Sequence, residues 1–166
     1  MEFETVIRER HATRKFSNQK IEKEKLEMIL EAGRLAPTAK NLQPIKIYVV
    51  EEKVEELDQA TPCRYHAPVV LVVCGDYEKA FQKENYSTYE MDAVIVATHM
   101  MLEATNIGVS NIWVEMFQEE VLRELLDIPS HFKPICLLPL GYEAEDGPIS
   151  PNHTRRKELS EIVEYR

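Results

Sequence analysis

The residues of this chain best suited to chemistry are cations gathered near its two ends. Arg8, Arg10, His11, Arg14 and Lys15 fall close together near the start. Arg155, Arg156 and Lys157 form a second group near the end. The chain around them is acidic, with a formal net charge of -9. A phosphate monoester is a dianion near neutral pH, and arginine forks match its oxygens. Two such groups converging would make a phosphate site. The same residues also read as solvated basic turns paired with neighbouring glutamates.

A second set of polar groups lies in the loop at residues 37–44, PTAKNLQP. Thr38, Asn41 and Gln43 there both donate and accept hydrogen bonds. A heteroaromatic ring with alternating donors and acceptors needs that mixture, although such a loop also serves simply to face water. Trp113, the only tryptophan, stands in IWVEMF beside Glu115. It suits core packing, or an apolar wall against a planar ring.

Other chemistries have less support. The chain has no GxGxxG, no GxxxxGK[ST], no GxSxG and no HExxH. Its histidines (His11, His66, His99, His131, His153) share no ligand spacing, and Cys63, Cys74 and Cys136 make no CxxC, so no metal site is expected. Three widely spaced cysteines, an odd number, favour a reducing compartment. If the chain is an enzyme, a cofactor supplies the reactivity.

These groups must be positioned by a mixed scaffold. A short amphipathic helix is expected over residues 2–10, with Phe3, Val6 and Ile7 on one side. A clear one follows over 21–35, where Leu26, Ile29, Leu30 and Gly33 recur at helical spacing. Pro37 ends it. Residues 45–50 read as a strand and 54–60 as a short helix. VVLVVC at 69–74 reads as a strand buried on both faces. Residues 79–89 show no periodicity. A long helix over 91–106 is apolar nearly all round, which fits either a dimer interface or the centre of a single core. Strands are expected at 112–114 and 135–140 and a helix at 119–126. An extended stretch at 147–153 precedes residues 155–163, which read as a last helical turn or as a segment lying along a partner. The irregular order of helices and strands favours an α+β sandwich over a doubly wound sheet.

Composition agrees with one domain spanning 1–166. Apolar residues make up 44% and charged residues 30%, enough to build a core. The acidic balance argues against nucleic acid and anionic membranes as partners. The N-terminal stretch carries charges where a signal peptide needs its apolar run. A soluble, cytoplasmic protein is expected.

Taken in order, these segments resemble the nitroreductase family of flavoproteins. The family's opening RRSxRxF is similar to Arg10-His11-Ala12-Thr13-Arg14-Lys15-Phe16, and its APSAxNxQPW loop to the stretch from Ala36 to Ile45. Ile107-Gly108-Val109 followed by Trp113-Val114-Glu115-Met116-Phe117 is similar to its flavin-ring segment. Ile128-Pro129, Leu138-Pro139-Leu140-Gly141-Tyr142 and Arg155-Arg156-Lys157 match its closing elements. The resemblance implies a three-layer α-β-α sandwich with a central, mostly antiparallel sheet, in an intertwined homodimer. It implies FMN as cofactor and NADH or NADPH as co-substrate. The acceptor would be a nitroaromatic, a quinone or another flavin, reduced in ping-pong order. Arg10, His11, Ala12 and Arg14 would contact FMN, with Arg10 and Arg156 on the phosphate and Arg14 toward the pyrimidine edge as a possible electrostatic aid. Pro37, Thr38, Ala39 and Asn41 would come from the second subunit. Trp113, Val114 and Glu115 would line the ring.

Some positions depart from the family pattern. Ala12 stands for Ser, Lys40 for Gly and Ile45 for Trp, while Ser110 and Met116 stand where Gly is frequent. The region that carries substrate-covering helices in many members is short. A flavin carrier or sensor without turnover, a relative with other flavin chemistry, and a non-flavin interaction domain remain alternatives at this stage.

Overall fold

The computed structural model describes residues 1–166. Helices α1 (Phe3–Glu9) and α2 (Lys23–Leu35) precede strands β1 (Ile45–Val50) and β2 (Val69–Asp76). A small hairpin, β3 (Gln82–Lys83) and β4 (Tyr86–Ser87), leads into the long helix α3 (Tyr89–Asn106). Then come β5 (Ser110–Asn111), α4 (Glu119–Leu126), β6 (Phe132–Gly141) and the short α5 (Leu159–Ile162). The main sheet has the order β1-β2-β6-β5, and its ladders are antiparallel.

The period-two alternation of β2 divides the core into two layers. Val69, Leu71 and Val73 join Leu26 and Ile29 of α2 and Val96 and Met100 of α3 on one face. Val70, Val72 and Cys74 join Leu57, Leu122 of α4 and Phe16 on the other. With apolar material on both faces, β2 is buried along its whole length, as its unbroken VVLVVC run requires. The result is the expected α-β-α sandwich. Gly33 fixes the packing of α2 on α3, because a Cβ there would stand 2.8 Å from Met100 Cγ.

Three expectations need correction, and the segment without periodicity proves to be a hairpin. The strand expected at 112–114 is β5 at Ser110–Asn111. Beyond it, pairing with β6 continues as one bond from Ile112 N–H to Pro139 O and as the isolated Val114–Leu137 bridge, which exchanges both its bonds. Pro139 has no N–H to return the bond, so the ladder breaks. Residues 79–89 hold the β3–β4 hairpin, turning through Glu84 at φ 54°. The stretch 147–153 is not extended throughout: it turns at its end, where His153 and Arg155 donate to the carbonyls of Ser150 and Asn152. Finally, α1 buries Val6 but leaves Phe3 and Ile7 exposed.

Helix α3 packs one side into the core and leaves another apolar side exposed. Ala93, Val96, Ala97, Met100 and Ala104 pack into the core. Met91, Val94 and Ile95 form a second apolar stripe that faces outward. No helix is long and apolar enough to cross a membrane.

Candidate active site

The basic segment after α1 is tied to the sheet edge by its own backbone. Ala12 bridges Asn111 of β5, Thr13 N–H donates to Asn111 O and Phe16 N–H to Tyr65 O. Extended backbone sends successive side chains to opposite sides. Both Arg10 and His11 line one cleft, and only Arg10 also reaches a second.

Arg10 lines a cleft of about 500 Å³ with Arg156, Trp113, Ile7, Val94, Thr98, Met101 and Leu102. It is partly buried and forms no ion pair. Its guanidinium sits below the usual arginine value, first through burial and then through the like charge of Arg156. Arg156 donates only to two nearby backbone carbonyls, Asn152 O at 3.3 Å and Arg155 O at 2.7 Å. Two mutually repelling guanidiniums therefore line one cleft, and neither is paired with a carboxylate.

The wall of this cleft is set by alternation around the Val114–Leu137 bridge. Val114 is buried, and its N–H and C=O both bond to Leu137. Trp113 and Glu115 therefore lie together on the other side, where the indole Nε1–H donates to Glu115 Oε1 at 2.7 Å. The ring is thereby held beside the two arginines, giving the cleft a flat apolar side next to a cationic one. Met116 is 60% exposed beyond it, so its side chain is free to overhang the approach.

The remaining sequence-selected residues go elsewhere in the single chain. His11 contacts Glu9 O through Nδ1 at 2.9 Å and Glu143 Oε2 through Nε2 at 3.0 Å. It faces a neighbouring cleft of about 460 Å³ that also includes Arg10, Thr13 and Asn111. Arg14 is exposed and lines a separate recess with Lys15, Asp58, Tyr65 and His66. The Tyr65 hydroxyl is raised by its hydrogen bond with Cys63 and by burial, with Arg14 acting in the opposite sense. Pro37, Thr38, Ala39 and Asn41 cluster near the head of α3, and none lines the Arg10–Trp113–Arg156 cleft. Burial raises the thiols of Cys74, to about 12, and of Cys136, leaving neither suited to act as a nucleophile at neutral pH.

The sequence reading missed three side chains that hold these pieces. Glu143 receives His11. Tyr65 stands beside Arg14 and receives the Phe16 N–H on its carbonyl. Asp92 receives the Ala39 N–H at 2.8 Å. Asp92 had a visible signal: a single acid inside the otherwise apolar MDAVIVA run. Glu143 and Tyr65 had none, since each meets its partner only through the fold.

The Nitroreductase family model matches residues 7–65 and 62–142. A crystal structure of a nitroreductase family protein from Clostridium difficile is 36% identical, with a TM-score of 0.92 over 99% of this chain and 98% of that one. An FMN-dependent nitroreductase from another Clostridium difficile strain is 26% identical, with a TM-score of 0.78 over 96% of each chain. An NADH dehydrogenase of Thermus thermophilus is 27% identical over 100% of this chain and 97% of its own. The chain belongs to the nitroreductase family of oxidoreductases.

Proposed function

We propose that the Arg10–Trp113–Arg156 cleft holds FMN and that residues 1–166 form one FMN-binding domain of a homodimeric, NAD(P)H-dependent oxidoreductase. The observation that carries this reading is the pair of carboxylate-free arginines beside a tethered indole. The donor set fits a flavin nucleotide: cations for the phosphate and an apolar wall for the ring. FMN dependence in the Clostridium relative and NADH in the name of the Thermus relative point the same way.

Bound there, FMN supplies hydride acceptance from NADH or NADPH and electron delivery to a nitroaromatic, quinone or second flavin, in ping-pong order. The chain's own part is binding and electrostatics. Arg10 and Arg156 neutralise the phosphate. Trp113, Met101 and Leu102 exclude water from one side, and Glu115 holds the indole at its angle. Arg14 stands as a further cation for charge that develops on the pyrimidine edge. His11 and Ala12 contribute from the same backbone segment, and Val114 aligns Trp113 and Glu115.

A second protomer completes the site. Exposed Met91, Val94 and Ile95 of α3 and Phe3 and Ile7 of α1 offer an apolar surface. Leu159, Ile162 and Tyr165 of the tail are also bare, at 64%, 66% and 90% exposure. Covering these residues brings the loop bearing Pro37, Thr38, Ala39 and Asn41 from one protomer over the other's cleft. Three free cysteines fit a cytoplasmic location.

The direct test is the visible spectrum of the purified protein. It is expected to be yellow and to bleach with NADH or NADPH, and a colourless protein that refuses added FMN refutes the reading. Arg10→Ala is expected to weaken FMN binding by about 2 kcal/mol, roughly thirtyfold. Unchanged affinity would make the basic cluster a solvated turn.

A further inference from the structure

Asp92 lies in the first turn of α3 with 2% of its surface exposed. A carboxylate so placed for the helix dipole alone would sit in water, where it costs nothing to ionise. This one is instead spent on two donors. Oδ1 accepts the backbone N–H of Ala39 at 2.8 Å, and Oδ2 accepts the Thr88 hydroxyl at 2.8 Å. The Ala39 bond reaches across the fold to the loop at residues 37–44.

That loop is held in an unfavourable shape. Lys40, Asn41 and Gln43 have φ of 51°, 55° and 51°, in the left-handed region that non-glycine residues avoid. Such residues persist only where their surroundings over-determine them. Inside the loop Asn41 N–H donates to Thr38 O, Leu42 N–H to Ala39 O and Gln43 N–H to Thr38 Oγ1, and at its far end Asp76 N–H donates to Pro44 O. Two side chains reach it from elsewhere or reach out of it: Lys40 Nζ lies 4.3 Å from the centre of the Phe81 ring, and Asp92 accepts the Ala39 N–H. Only the last is a hydrogen bond to a buried carboxylate, aimed at the start of the turn.

We infer that Asp92 is a positioning residue, whose carboxylate presents the loop that covers FMN in the second protomer. The inference rests on the reading of this loop as that cover. Thr88 aims the carboxylate by occupying its second oxygen, and Ala39 transmits its position to Lys40 and Asn41.

The test is FMN affinity and release rate in the dimeric protein, for wild type and for Asp92→Asn, Asp92→Ala and Ala39→Pro. Asp92→Asn keeps a carbonyl oxygen for the Ala39 N–H, so it is expected to stay within about twofold of wild type. Asp92→Ala is expected to release FMN about tenfold faster. Ala39→Pro removes the same bond from the loop side and leaves α3 untouched. Proline suits the first position of the short helical turn, and Thr38 before it is already extended at φ -130° and ψ 160°. It too is expected to release FMN about tenfold faster, and the double variant no faster than either single one. If Asp92→Ala does not fold, Ala39→Pro decides alone. Release unchanged in the folded variants, or a fall in Tm with no change in release, overturns the inference. A wild-type protein that binds no FMN refutes the proposed function instead, before any variant is made.

Discussion

Arg64 and Arg10 are the same side chain used in opposite ways. Arg64 is 7% exposed, and its donors are spent on the protein itself. Nε and Nη2 grip Asp58 at 2.7 and 2.6 Å, and Nη1 donates to Ala67 O at 3.1 Å. Arg10 is partly buried, meets no carboxylate and faces a second guanidinium. An arginine whose charge is answered internally is scaffold; on the proposed function, the one left unanswered beside its like receives the FMN phosphate. Composition treats the two alike, and only their surroundings in the fold tell them apart.

The strongest way to break this comparison is to remove both members of the receptor. Arg10→Ala with Arg156→Ala is expected to cost about 4 kcal/mol in FMN binding, on the order of a thousandfold. Tm of the FMN-free protein should hold or rise, because two repelling charges have gone. A titration that finds less than a tenfold loss, or a marked fall in Tm of the FMN-free protein, would place Arg10 with Arg64 as scaffold.

The converse substitution is Asp58→Ala, which strands the buried Arg64 guanidinium. Asp58 itself is half exposed, with 50% of its side chain accessible, so water moderates the loss to about 2 kcal/mol of folding stability. FMN affinity should hardly move. Denaturant melts and FMN titrations on the same sample separate the two outcomes.

Acid sharpens the same point with a smaller effect. The hydrogen bonds from Arg64 hold the Asp58 carboxyl below its ordinary value. A folded-state pKa below the unfolded one adds stability that is present above the unfolded value of about 3.9, and that stability is lost as pH falls through the lowered folded value. Wild type should therefore lose about 1 kcal/mol more than Asp58→Asn on acidification below about pH 4. Parallel acid slopes in the two proteins would show that the ion pair carries no net stability.

How much of this was legible in the chain depends on the reach of each signal. The helix at 119–126 and the buried strand starting at Val69 were visible because periodicity and apolar runs are local. The strand expected at 112–114 failed because the missing N–H belongs to Pro139, on a different strand. The basic cluster was legible as a group, but its division was not. Extended backbone at the sheet edge turns Arg10 toward Arg156 while His11 goes to Glu143. The loop was legible as polar and proline-bracketed, yet its left-handed residues carry no glycine to announce them. Its anchor, Asp92, lies far along the chain in a helix that reads as apolar.

The finest division within the site is between the residue that forms the wall and the residue that orients it. Trp113 gives the surface, while Glu115 touches the cleft only through the indole N–H. Glu115→Gln keeps an acceptor oxygen but loses its charge, and the pair is solvent-exposed, so FMN affinity should fall only about twofold. Trp113→Phe retains the apolar face and abolishes the N–H, which makes Glu115 irrelevant to ring orientation. In that background Glu115→Gln should therefore have no further effect on FMN affinity, and the two changes together should equal Trp113→Phe alone. If the effects add instead, Glu115 acts on the cofactor directly and belongs with Arg10 as a binding group.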